Sequence, residues 1–110
     1  EHVAGSIEEF AKLMNEKAKE LGATNTSFKN PSGLTEDGHL TTAHDLALIM
    51  RYASQNPDFV RISQTPSYFY ENHPYSNGNE KWASNHNPLL KENSAYTYKY
   101  AYTGKTGYTV

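Results

Sequence analysis

Apolar residues in the first fifth of the chain recur at helical spacing. Ile7, Phe10, Ala11, Met14, Ala18 and Leu21 fall on one stripe, the period of an amphipathic helix. Ser6 and Glu9 just ahead of it match the S-x-x-E capping box, in which each side chain satisfies a free amide of the first turn. Gly22 stands where a left-handed C-terminal residue is favoured, so a helix is predicted over 7–21. Residues 24–40 lose the period and are rich in turn formers, with Asn30-Pro31-Ser32-Gly33 and Asp37-Gly38. Thr41 or Thr42 caps a second predicted helix that runs to Ser54, with Asp45 in its first turn favoured by the helix dipole. Its centre, Leu46-Ala47-Leu48-Ile49-Met50, is apolar nearly all round and predicts burial on several sides. Asn56-Pro57 opens a short third helix ending near Ile62.

The pattern changes after Pro66. Tyr68-Phe69-Tyr70 is aromatic and strand-like, and 73–80 is a polar loop containing Asn77-Gly78. Residues 82–90, with Asn85-His86-Asn87-Pro88, suggest an irregular connection. From Tyr96 to Tyr102, tyrosine alternates with Thr, Lys and Ala at period two and leads into Gly104-Lys105-Thr106-Gly107-Tyr108, a strand signature. Helices followed by strands argue for an α+β arrangement rather than alternating βαβ units. The expected division is a mainly helical part, 1–62, and a strand-rich part, 63–110.

Composition narrows the possible functions. The formal net charge is -2 and the ten Lys and Arg are scattered, which argues against nucleic acid or an anionic membrane as partner, since both need a clustered basic face. The chain has no cysteine, so disulfides and thiolate metal sites are excluded. No stretch approaches the roughly 20 apolar residues of a membrane span. Of five histidines, His39 and His44 are five apart and do not fit H-E-x-x-H, and the others are isolated, so no metal site is expected. Mean hydropathy is low, -0.80, a deficit that nine tyrosines offset because each buries a large ring while its hydroxyl stays wet. Glu1-His2-Val3-Ala4-Gly5 lacks an initiator Met and reads as the tail of an earlier helix, so a cut from a longer protein is expected.

The candidate chemistry lies at Gly104-Lys105-Thr106-Gly107. A P-loop, G-x-x-x-x-G-K-[ST], requires glycine at position 99, where Lys99 stands, and a following helix that the pattern does not show. Lys-Thr-Gly is also one of three motifs of serine β-lactamases and penicillin-binding proteins. The residue types suit an anionic substrate terminus. The lysine ammonium attracts it, the threonine hydroxyl donates to a carboxylate, and glycine admits substrate close to the backbone without a Cβ clash.

Further stretches accompany the motif in order: Phe10-Ala11-Lys12-Leu13-Met14-Asn15 with Ala18-Lys19-Glu20-Leu21-Gly22; Thr26-Ser27-Phe28-Lys29-Asn30-Pro31-Ser32-Gly33-Leu34; His39-Leu40-Thr41-Thr42-Ala43-His44-Asp45-Leu46-Ala47; Asn85-His86-Asn87-Pro88-Leu89-Leu90; and Lys105-Thr106-Gly107-Tyr108-Thr109. Together they resemble the serine D-Ala-D-Ala carboxypeptidases, the low-molecular-weight penicillin-binding proteins. The resemblance implies an incomplete piece of a β-lactamase/transpeptidase-like domain, an antiparallel sheet flanked by helices with a helical subdomain. It implies removal of the terminal D-Ala from peptidoglycan stem peptides outside the cytoplasmic membrane, penicillin binding at the same site, and no cofactor.

In that family a serine of S-x-x-K attacks the D-Ala-D-Ala bond with its lysine as base, a serine of S-x-N assists proton transfer, and the K-T-G lysine holds the terminal carboxylate. The last role falls on Lys105, with Thr106 and Gly107. None of the nine serines has lysine three places on, and Ser27, Ser32, Ser63 and Ser67 lack asparagine two places on. The resemblance implies that both motifs lie before Glu1, so no catalytic residue is assigned within the chain, and the chain alone is expected to be inactive. One departure is local: the family has glycine two residues before the motif lysine, where Thr103 stands, and Gly104 is the candidate replacement. The rival reading is a non-catalytic binding or self-associating segment of the same fold.

Overall fold

The computed structural model describes residues 2–70 and 81–107. The expected loop at 73–80 and the end of the expected last strand, Tyr108 and Thr109 included, lie outside them. The chain forms two compact units, one on Glu1–Gln55 and one on Asn56–Gly107.

The first unit is helical. Helix α1 spans Ile7–Glu20, and its N-cap Ser6 accepts from the Glu9 amide at 3.1 Å. The other half of the expected capping box does not form. Glu9 turns to Lys12 at 3.9 Å, and it is the Glu8 carboxylate that is lowered in pKa, by its own backbone amide and then by the Ser6 hydroxyl. At the far end Gly22 has φ 84°. The Ala23 amide reaches Ala18 O at 2.9 Å and the Gly22 amide reaches Lys19 O at 3.0 Å. This pair of bonds is the Schellman closure, which requires a residue that tolerates the left-handed region. Ala11, Ala18 and Ala23 are the buried apolar residues among those described, so the core of this unit lies under α1.

Helix α2 spans Ala43–Ala53 between N-cap Thr42 and C-cap Ser54. Its apolar centre is not enclosed: Leu46 is exposed, while Leu48, Ile49 and Met50 are partly covered. Across a groove of about 340 Å³ from Phe10 and Met14, α2 presents Ile49 and Tyr52. The expectation of burial on several sides is therefore corrected. Periodicity reports which side chains are apolar, and cover depends on neighbours that 43–53 do not supply.

What α2 buries is its start. The Asp45 side chain is fully enclosed. Its Oδ2 accepts from the Asn25 amide and from Thr26 Oγ1, each at 2.8 Å, and Oδ1 lies 3.3 Å from His44 Nδ1. Burial pushes this carboxyl up, but the hydrogen bonds from Thr26, His44, Asn25 and Thr42 outweigh burial and hold it below the ordinary aspartate value.

The connection between the helices is irregular but tightly bonded. Asn15 on α1 donates from Nδ2 to Phe28 O at 2.8 Å and accepts the Phe28 amide at 2.7 Å, pairing with the loop as a strand neighbour would. Ser27 and Leu40 form an antiparallel bridge. Asn30 is buried. It donates to Leu34 O and Glu36 Oε2 and accepts from Ser32 Oγ and the Gly33 amide. Asn-Pro-Ser-Gly is thus a closed turn in which all side-chain capacity of the asparagine is used.

The second unit opens on helix α3, Pro57–Gln64, two residues longer than expected. Asn56 caps it by accepting from the Asp58 and Phe59 amides. Strands β1, Ser67–Tyr70, and β2, Lys81–Ser84, pair antiparallel with Phe69 opposite Trp82, their rings 5.0 Å apart. The start of the expected irregular connection is therefore a strand, because cross-strand pairing with Phe69 sets the state of Trp82.

The expected strand over 96–102 is not there. The Thr97 amide bonds to Ser94 O, the Tyr98 amide to Leu89 O and the Ala101 amide to Tyr98 O. Period-two tyrosines make a strand only where a neighbour offers a ladder; among the described residues none does, and the amides of Thr97 and Ala101 close turns while that of Tyr98 reaches Leu89. Among the described residues the chain is thus α+β, with three helices and one two-stranded sheet.

Candidate active-site cleft

Gly104, Lys105 and Thr106 line a cleft of about 400 Å³ within the second unit. The opposite walls are Phe59, Ile62 and Ser63 of α3 and residues 83–87, from the end of β2 onward. Two asparagines build those walls. Asn85 Nδ2 donates to Ser63 O at 2.8 Å and to Thr65 O at 3.2 Å, and the Asn85 amide donates to Pro66 O at 2.8 Å. One carboxamide thereby satisfies the open carbonyls at the end of α3 and ties them to the end of β2. Its Oδ1 accepts the Asn87 amide at 2.9 Å, and Asn87 Oδ1 accepts the Leu89 amide at 3.1 Å, capping a single 3-10 turn at Pro88–Leu90.

The motif segment is fastened to this frame just before Lys105. Gln64 Nε2 donates to Tyr102 O at 2.6 Å, and the Ser63 and Thr103 hydroxyls are hydrogen-bonded to each other. A Cβ on Gly104 would lie 3.1 Å from Asn87 Nδ2, so glycine is what lets the backbone pass Asn87. Thr103 stands at the position where glycine was expected and is bonded to α3 instead. Lys105, Thr106 and Gly107 are exposed. The Lys105 amine contacts Thr106 O, and a Cβ at Gly107 would meet nothing within 4 Å. The packing of the described residues therefore does not require glycine at 107.

Lys105 and Thr106 thus offer the cleft one ammonium and one threonine hydroxyl, groups that bind an anion and do no bond-breaking by themselves. Ser63 is in the cleft, but its hydroxyl is taken by Val60 O and Thr103, and among the described residues no serine hydroxyl is bonded to a lysine amine. A serine without a base is a weak nucleophile. Sequence reasoning passed over Ser54-Gln55-Asn56, which has the S-x-N spacing. Ser54 Oγ donates to Arg51 O at 2.8 Å, and Asn56 Oδ1 caps α3, so this serine and asparagine serve helix ends. It also left Asn85 and Asn87 as part of an irregular connection. Their one signal was two asparagines flanking one residue before Pro88, an arrangement suited to side-chain capping.

The family model described as D-alanyl-D-alanine carboxypeptidase, peptidase family S11, matches residues 1–110. The D-alanyl-D-alanine carboxypeptidase DacF of Bacillus subtilis is 42% identical over 114 residues, covering 99% of this chain and 26% of that protein. The D-alanyl-D-alanine carboxypeptidase DacB2 of Mycobacterium tuberculosis is 41% identical over 110 residues, covering 98% of this chain and 35% of that protein. A crystal structure of a D-alanyl-D-alanine carboxypeptidase from Mycobacterium tuberculosis superposes with TM-score 0.78 at 38% identity, covering 98% of this chain and 38% of that one. The chain therefore spans about a quarter to two-fifths of the length of these relatives.

Proposed function

Because this chain belongs to the D-alanyl-D-alanine carboxypeptidase family, we propose that it carries the carboxylate-binding part of a serine-type carboxypeptidase site, with Lys105, Thr106 and Gly107 as the binding residues. The substrate is a peptidoglycan stem peptide ending in D-Ala-D-Ala, and β-lactams occupy the same place. The protein acts outside the cytoplasmic membrane. A serine outside these residues attacks the penultimate carbonyl, D-Ala leaves, and water hydrolyses the resulting ester. Lys105 holds the terminal carboxylate by charge, Thr106 donates its hydroxyl to it, and Gly107 leaves the backbone accessible. No metal or organic cofactor takes part.

One observation carries this reading: Lys105 and Thr106 line a cleft whose walls are built by α3 and 83–87. Lys105→Ala in the full-length enzyme tests it. A charge-assisted hydrogen bond is worth about 1.5–3 kcal/mol, so acylation by penicillin and by donor peptide should slow roughly 10- to 150-fold in a folded variant. Unchanged acylation removes Lys105 from the site.

A second reading, a non-catalytic segment that binds or self-associates, draws on the exposed Leu34, Leu40, Ile62 and Trp82, since apolar surface of this kind favours association. In that reading Lys105→Ala has no effect on acylation.

A further inference from the structure

We propose that Asn87 is a positioning residue for the binding segment: its carboxamide, held from below by the Leu89 amide, sets the line along which Gly104 carries Lys105 and Thr106 into the cleft. The inference rests on the function proposed for Lys105, Thr106 and Gly107, and adds a residue that acts through the segment.

Three features support it. Asn87 is only 9% exposed, unusual for an asparagine in a loop next to an open cleft. Its backbone amide donates to Asn85 Oδ1 at 2.9 Å, and its side-chain Oδ1 accepts the Leu89 amide at 3.1 Å. Asn85 is itself anchored to Ser63 O and Thr65 O at the end of α3. The chain of contacts thus runs from α3 through Asn85 and Asn87 to Gly104, where a Cβ would come within 3.1 Å of Nδ2. That separation is tighter than ordinary van der Waals contact, and Asn87 is the side that cannot easily move. Gly104 precedes Lys105 directly, so a displacement at Gly104 is passed to the lysine with little to absorb it.

A double-mutant cycle in the full-length enzyme tests this, read as the second-order rate of acylation by fluorescent penicillin and as the melting temperature. Asn87→Ser keeps an oxygen to accept the Leu89 amide and removes the atom that Gly104 abuts. Gly104→Ala adds the methyl group that meets it. Because misplacement by a fraction of an ångström is costly in a binding site, Gly104→Ala should lower acylation by about 10-fold or more and Asn87→Ser by about 3- to 10-fold. The double variant should be no slower than Asn87→Ser alone, since the serine makes room for the methyl. Independent multiplication of the two losses, or wild-type rates in either single variant, overturns the inference. Should Gly104→Ala not fold, folding of the double variant supports the contact and failure of both counts against it. Lys105→Ala, measured alongside, separates the two ideas. A slow Lys105→Ala with no coupling between 87 and 104 defeats only the positioning role. A Lys105→Ala variant that acylates normally defeats the proposed site itself.

Discussion

At the scale of single residues, the strongest fixed points are polar side chains that take over backbone hydrogen bonding. Asn15 holds both backbone groups of Phe28, so Asn15→Ala leaves an amide and a carbonyl without their partner and should cost about 1–3 kcal/mol in a denaturant melt. Asp45 accepts the Asn25 amide with a charged carboxylate. Its carboxyl is held below the usual 3.8 by hydrogen bonds that outweigh its burial. A carboxyl with a depressed folded pKa contributes stability above its unfolded value, and this contribution is lost as pH falls through the folded value. The melting temperature should therefore drop below about pH 4, and Asp45→Asn should flatten that part of the profile while lowering stability at neutral pH. An unchanged slope in Asp45→Asn would remove Asp45 as the group responsible. None of these roles shows in the sequence beyond the residue type, because a side chain's partner 13 or 20 positions away leaves no local pattern.

At the scale of elements, local signals were legible and pairing was not. The N-caps Ser6, Thr42 and Asn56, the left-handed Gly22 and the apolar stripe of α1 all act within a turn or two of chain, and the three helices stand where they point. Gly22 makes this quantitative: at φ 84° an L-residue is strained, so Gly22→Ala should destabilise the protein by about 1–2 kcal/mol, measurable as a shift in denaturant midpoint with unchanged slope. The strands were less legible for a physical reason. Trp82 is in β2 because Phe69 lies opposite it, whereas Tyr96, Tyr98, Tyr100 and Tyr102 alternate as a strand would and yet lie in no strand, Tyr96 and Tyr100 being in turns. Alternation describes what a sheet can accept, and pairing decides whether it is used.

At the scale of the whole molecule, two compact units carry few buried apolar side chains between them, and among the described residues the buried hydrophobics are three alanines. Leu34 is 72% exposed and Trp82 65%. The chain on its own is accordingly expected to self-associate, with apparent mass rising across a dilution series in light scattering. A monomer with a cooperative melt at high micromolar concentration contradicts that. The family was legible because several motifs recur in order along the chain. The walls of the cleft were not, because Asn85 and Asn87 act on groups supplied by α3 and by Gly104. The central claim is that residues 1–110 hold the carboxylate-binding side of the site and not its nucleophile. Labelling the full-length enzyme with penicillin, digesting it and locating the adduct by mass spectrometry tests this most directly. The account predicts a penicilloyl ester on a serine outside these 110 residues, formed more slowly in Lys105→Ala; an adduct on any of the nine serines within them would contradict it.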